Sequence, residues 1–436
     1  MKKSNLYPEE YIPFSEKKEN ALPSSENSFI INLSSFVLAT LTLILIKYFN
    51  LKISGIGALF IFIAVLTLCI LGLEYVFKPQ NSVFSQIKIR RKLNIKRLAT
   101  RLLALFSIWA VIAFLYWLFP LYKDRLFTGY LSFLKNYWWL LGLLGTIYFA
   151  IEDIVNEKEE DSYWQLGRYL LGHREDAKKE EIVELLRGWG VKFFYLAVML
   201  PYFSQRLNWF MRYDFSKITV SAHNLFRFSN DFIFFADLAF AATGYMMTFK
   251  LFNTQIRSSE PTLFGWVVAL GCYWPFWGSL FNQYFFAYNS GIYWEKVFNG
   301  SNWFYVWMFL ILACEVIYSL ATTALGIRFS NLTYRGLVTS GPYRFTKHPA
   351  YVFKNISWWL ISMPFLAWNN NPEQAIRASI LLFMVNLIYY ARAKTEENHL
   401  SHYPEYVEYA LMMNKKSIFA PLTKILPFLK YKAPEK

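Results

Sequence analysis

Residues 303–326 read WFYVWMFLILACEVIYSLATTALG, twenty-four residues with one ionisable side chain, Glu315. A helix rises about 1.5 Å per residue, so this run is long enough to cross the ~30 Å hydrocarbon core of a bilayer. Backbone amides in that core find no water, which leaves helix as the conformation open to a single segment. Comparable runs precede it at Phe29–Phe49, Ile53–Phe77, Leu102–Tyr122, Leu131–Ile151, Gly190–Ser204, Phe232–Phe249 and Leu263–Phe281. Two more follow, Ile356–Trp368 and Ala375–Ala391. The expected fold is all-α: a polytopic transmembrane bundle of ten helices, or eight if the short fifth and ninth runs are tilted, re-entrant or interfacial.

Composition agrees, with 55% hydrophobic and 20% aromatic residues but only 17% charged, against about 25% charged in an average soluble domain. The net charge of +15 is spread between the apolar runs, and no nucleic-acid-binding motif accompanies it, so nucleic acid is not an expected partner. Residues 78–101 hold eight basic residues, Lys78, Lys88, Arg90, Arg91, Lys92, Lys96, Arg97 and Arg101, and no acid. That is the pattern of a loop kept on the cytoplasmic side. Ten crossings put a second basic stretch, Arg328 to Lys354, on the same side and both termini in the cytosol. Cys69, Cys272 and Cys314 lie in apolar runs and read as small hydrophobes without disulfide or zinc spacing. Asp237 and Glu315, inside apolar runs, mark polar contacts, with a basic residue of another helix as one partner.

Residues 1–28 mix lysines and glutamates without the apolar core of a secretory signal and read as a cytosolic polar tail. An N-terminal transmembrane region follows, 29–324. Within it, 152–187 carries Leu166, Tyr169, Leu170, Ile182, Leu185 and Leu186 among mixed charges. This spacing predicts one or two amphipathic helices on the cytosolic bilayer surface, with a plain solvated loop as the alternative.

The polar interval after the eighth run reads GLVTSGPYRFTKHPAY over Gly336–Tyr351. Gly341-Pro342 marks a turn, while Pro349 suits a first helical turn and disfavours helix at His348. His348 therefore stands at a helix entrance on the membrane surface. A second polar piece follows the last run, from Tyr389 through Arg392, Lys394, Thr395, Glu396, Glu397 and His399 to Tyr403-Pro404-Glu405-Tyr406 and Tyr409. At 3.6 residues per turn Tyr389, Arg392, Glu396 and His399 share a face, which can line a polar pocket open to the cytosol. His399 and His402 lack an obvious third ligand, so no metal is expected.

Gly-Pro-Tyr-Arg, then His-Pro-x-Tyr, a helical hairpin, Arg-x-x-Thr-Glu-Glu and a Tyr-x-x-Tyr tail together resemble the isoprenylcysteine carboxyl methyltransferases and related phospholipid methyltransferases. The resemblance covers residues 325–421, a methyltransferase-like region, and leaves 422–436 as a basic C-terminal tail. It implies a cytosol-facing pocket for S-adenosylmethionine and a lipophilic acceptor entering from the bilayer. His348, Pro349 and Tyr351 would border the cofactor, Glu396 and Glu397 would contact its ribose or amino group, and Arg392 would face the acceptor. A carboxylate acceptor needs no general base, and Arg392 or Arg344 can hold it by forked hydrogen bonds. An amine or phenol would need a glutamate or histidine as base. The run Val352-Phe353-Lys354-Asn355 departs from the small residue that many members place there. Two other readings stay open: an NADPH-dependent reductase of the sterol kind, and a non-catalytic transporter or lipid-binding protein.

Overall fold

The computed structural model describes residues 22–77, 88–155, 160–285, 287–288, 293–366 and 371–434. Residues 1–21 of the predicted tail and Lys78 of the basic loop lie outside them. Among the described residues six helices are long and apolar enough to span a membrane: α1 (Phe29–Tyr48), α2 (Gly55–Phe77), α3 (Ile95–Leu118), α4 (Thr128–Val155, extended in the span by Arg125–Phe127), α10 (Trp303–Leu325) and α12 (Pro372–Leu400). The chain is thus an integral membrane protein, and these six helices could each cross by length and composition, where the sequence predicts eight to ten crossings.

The other runs differ for identifiable reasons. Gly190–Ser204 is the middle of α6 (Lys179–Arg212), whose polar ends lower its apolarity, and Phe232–Phe249 largely coincides with α7 (Ala222–Met246). Leu263–Phe281 is not one helix: α8 (Leu263–Leu270) stops at a turn and a π-helical stretch begins at Phe276. Ile356–Trp368 falls partly in α11 (Pro349–Ser362), whose fourteen residues rise only about 21 Å. The connecting elements are α5 (Ser162–Leu170) and α9 (Trp294–Val297), and the chain ends in α13 (Pro404–Lys416) and α14 (Ala420–Ile425).

Lipid removes the hydrophobic drive between helices, so close packing and polar contacts must hold the bundle. Phe36, Phe62, Phe203 and Phe235, from α1, α2, α6 and α7, form an interlocked aromatic core, with Phe62 5.3 Å from Phe203 and 5.5 Å from Phe235. The buried acids have neutral partners, contrary to the expected basic ones. Tyr318 and Thr322 hydroxyls each donate to Asp237 at 2.6 Å, and the Asn230 amide donates to Glu315 at 2.9 Å. Two members of the basic loop are likewise not loop charges: Arg97 and Arg101 lie in α3, buried, and both bind Asp153 of α4. In the 152–187 interval α5 packs on α3 so closely that a Cβ at Gly167 would meet the Thr100 carbonyl at 2.2 Å. The interval's second helical part is the start of α6.

The loop after α7 is tied to the C-terminal region by Arg335, 3% exposed. Its guanidinium donates to the carbonyls of Gly244 (2.8 Å), Met247 (2.9 Å), Thr254 (2.8 Å) and Phe329 (2.9 Å). The first two are orphan acceptors at the end of α7, where a cation also meets the negative pole of the helix. Next to this knot, β1 (Ser258–Ser259) pairs antiparallel with β2 (Thr333–Tyr334).

The polar segment before α1 is part of the same structure. Glu26 N–H donates to the Leu337 carbonyl (2.9 Å), Thr339 Oγ1 donates to the Pro23 carbonyl (2.8 Å), and Glu26 pairs with Arg257 (2.6 Å). Asn27 donates to the Ala324 carbonyl at 3.3 Å and accepts from Arg328. Gly341 is required here, since its φ of +61° and the Phe29 ring 2.8 Å from an added Cβ both exclude a side chain. The basic end of the chain also folds back: Tyr431, 4% exposed, exchanges hydrogen bonds with Asn414 (3.0 and 2.8 Å).

Replacing Arg335 by lysine keeps the charge but cannot reach four carbonyls arranged around a planar fork. Arg335→Lys is expected to cost about 3 kcal/mol or more, from the loss of at least two charge-assisted bonds. Thermal unfolding of the detergent-solubilised protein measures this, and an unchanged midpoint would show that the knot does not hold the two regions together.

Candidate functional site

Pro349 occupies the first turn of α11 and leaves His348 as the residue before it, in non-helical conformation. α12 continues past its apolar part for two more turns. Its face bearing Arg392, Glu396 and His399 turns toward His348 and Tyr351 across a cleft of about 770 Å³, measured out to its open mouth. Leu325–Thr333 and the stretch from Glu260 to Ala269 supply the remaining walls.

The two neighbouring glutamates do different things. Glu396 lines the cleft with its side chain 44% exposed, accepts a hydrogen bond from Tyr351 Oη at 2.9 Å, and keeps its second oxygen free of described partners. Glu397, one residue on, points away from the cleft and is 4% exposed. It collects Lys347 Nζ (2.7 Å), Lys394 Nζ (2.8 Å) and His348 Nε2 (3.2 Å). Burial pushes the Lys347 ammonium below its ordinary pKa, and Glu397 pulls it part of the way back. Glu397 thus sets the position of His348 and Lys347, which line the cleft, while Glu396 lines it directly.

Arg392, 5% exposed, lines the cleft with its guanidinium 5.0 Å from the Tyr351 ring, 5.3 Å from Tyr273 and 5.8 Å from Tyr389. Nη2 donates to Asn331 Oδ1 and, at 3.3 Å, to Tyr273 Oη. Nε and Nη1 make no hydrogen bond among the described residues. Asn331 is held in turn by Tyr245 Oη, which accepts from its amide side chain (2.8 Å) and its backbone N–H (2.9 Å). His399 Nε2 lies 2.9 Å from Ser258 Oγ, so β1 anchors the far end of the site.

The structure therefore brings His348, Tyr351, Arg392 and Glu396 to one cleft. Pro349 is buried behind it as a helix starter, and Glu397 supports it from outside. Arg344 is exposed and does not line it. It ends the short 3₁₀ turn Gly341–Arg344, which turns its side chain to solvent. Asn331, Tyr273, Tyr245 and Ser258 were not legible as site residues. Tyr273 and Tyr245 sit in apolar runs, where an aromatic ring reads as packing, and nothing local links Ser258 to a helix 141 residues away. No cluster of metal-ligating side chains is found among the described residues.

Residues 306–402 match the Isoprenylcysteine carboxyl methyltransferase (ICMT) family. The matched segment holds α11, nearly all of α10 and all of α12, and with them the cleft residues His348, Tyr351, Arg392 and Glu396, while the wall from Glu260 to Ala269 and Tyr273, Tyr245 and Ser258 lie outside it. No curated protein and no solved structure matches the chain. The match and the six apolar helices together support a membrane methyltransferase.

The unequal placement of the glutamates has a measurable consequence. Glu397→Gln leaves two ammonium groups without their buried counter-charge and is expected to destabilise the protein by about 3 kcal/mol. Glu396→Gln, at a half-exposed position, should leave the thermal midpoint within the effect of an ordinary surface change, about 0.5 kcal/mol. Equal losses in the two variants would contradict the division of roles.

Proposed function

We propose that the chain is an integral-membrane, S-adenosylmethionine-dependent methyltransferase that O-methylates a carboxyl group on a lipophilic acceptor. What carries this reading is the convergence of the two halves of the family-matched segment, His348–Tyr351 and Arg392–His399, on a single cleft. Its lining suits a cationic cofactor with hydroxyl and ammonium donors: a carboxylate with one oxygen to spare at Glu396, and the aromatic faces of Tyr351 and Tyr343.

The cofactor, when bound, supplies a methyl group on a positively charged sulfur. The chain's task is then to position and to dehydrate. Glu396 offers its second oxygen to a ribose hydroxyl or to the ammonium, with Tyr351 holding the first. His348, locked by Glu397, forms the wall beside it. Arg392 is stacked among three tyrosines and anchored through Nη2, so its Nε–Nη1 edge is left to fork onto a carboxylate. Such an acceptor is already a nucleophile as its anion, so no side chain has to remove a proton. A cytosolic cleft and cytosolic termini follow from the loop charges when all ten apolar runs cross, because an even number of crossings then separates the two basic stretches.

Purified protein should bind S-adenosylmethionine and not NADPH, and should transfer labelled methyl to a membrane-extract component that releases methanol in base. Glu396→Gln should weaken cofactor binding by about one to two decades, the worth of one charge-assisted bond. Arg392→Lys keeps the charge without the fork, so cofactor binding should hold while turnover falls roughly a hundredfold, about 3 kcal/mol of lost positioning. Near wild-type turnover in Arg392→Lys would sink the carboxylate clamp, and absence of any cofactor binding by the wild-type protein would sink the whole reading.

A further inference from the structure

A second and larger chamber, about 1,820 Å³ out to its open mouth, lies between α3, α4 and α6 in the part of the chain outside the family match. One end is apolar, lined by Phe60, Leu105, Trp109, Leu141 and Leu144. Leu144 is 53% exposed, so this end opens sideways, where a bilayer would lie. The other end is polar, with Glu152, Asp161, Lys192 and Lys250. Along α4, Leu141 to Glu152 is a rise of about 16 Å, close to half of the ~30 Å hydrocarbon core. A chamber one leaflet deep, apolar at the mid-bilayer end and charged at the other, has the form of a lipid.

The charges at the polar end decide which kind. Glu152 faces Lys250 at 4.0 Å. Asp161 is bound by Arg101 at 3.2 Å and caps α5 by accepting from Trp164 N–H at 2.9 Å. Glu184 lies near Ser259 and within the field of Arg187, and its Oε1 makes no hydrogen bond among the described residues. Lys192 is different: its ammonium rests 4.6 Å from the Trp189 ring and has no carboxylate within ion-pair distance among the described residues. A cation facing a membrane-open chamber without a counter-ion is costly, and an anionic headgroup offsets that cost.

We propose that this chamber binds an anionic phospholipid, its chain along Leu105, Trp109 and Leu141 and its phosphate at Lys192. The stretch from Met246 to Ile256 walls the chamber, whereas the cleft takes its wall from Glu260 onward. The lipid site is therefore separate from the cleft, and it stands or falls independently of the methyltransferase reading.

The test is native mass spectrometry of the full chain in detergent with phosphatidylglycerol, phosphatidylcholine of the same chains, or inorganic phosphate. Wild type should retain phosphatidylglycerol at about tenfold lower concentration than phosphatidylcholine, one charge-assisted contact's worth. Lys192→Gln should abolish that preference and Lys192→Arg preserve it. Leu144→Trp, a change at a half-exposed position that the fold tolerates, should weaken retention of both lipids by narrowing the apolar end. No preference in wild type, a preference that survives Lys192→Gln, or displacement of the lipid by equimolar inorganic phosphate would each overturn the proposal.

Discussion

One buried guanidinium holds the two parts of this protein in register. Arg335 gathers carbonyls from the end of α7, from the loop that follows it, and from Phe329 beyond α10. Bringing those backbones together is possible because Gly244 has no side chain: a Cβ there would lie 2.4 Å from the Phe329 oxygen. Carbonyls that converge without a donor would be unsatisfied in a water-poor interior, and a planar cation with five N–H groups is the side chain best suited to satisfy several at once. β1 and β2 then form beside the knot, and Ser258 on β1 reaches His399. The loop after α7 becomes a wall of the cleft as a result.

A second cluster of charge works on the other side of the cleft. Glu397 neutralises Lys347 and Lys394 and takes His348 as a third partner. The others depend on Glu397, because its loss would leave Lys347, Lys394 and His348 without the carboxylate they share. The cluster fixes the His348 ring beside the parallel ring of Tyr351, 5.6 Å away. The cleft residues His348 and Lys347 are thus held in part by Glu397, which does not line the cleft.

The loop from Met246 to Glu260 separates the two cavities, with Arg335 binding its carbonyls from within. One cavity is small, polar and bordered by the family-matched segment; the other is large, mostly apolar and built by helices outside that segment. The N-terminal segment adds a third constraint, since Glu26 pairs with Arg257, the residue before β1.

Helical spans, the helix entrance at His348 and the shared face of Arg392, Glu396 and His399 were readable directly, because apolar length, proline placement and the 3.6-residue repeat are local properties of the chain. Which runs form one long helix was not, since Leu263–Phe281 has the composition of a helix but stops at Leu270 and resumes as a π-helical stretch at Phe276. Nor was the difference between Glu396 and Glu397: adjacent residues on a helix point about 100° apart, and which of them meets the cleft depends on where Lys347 and Lys394 stand. Arg344 shared every local attribute of a site residue and was turned to solvent by a short turn. Composition and period thus determined that the chain is helical, membrane-embedded and polar at one end of α12. Tertiary structure alone decided which of those polar groups face the cleft and which face each other, because that depends on side chains brought together from distant parts of the chain.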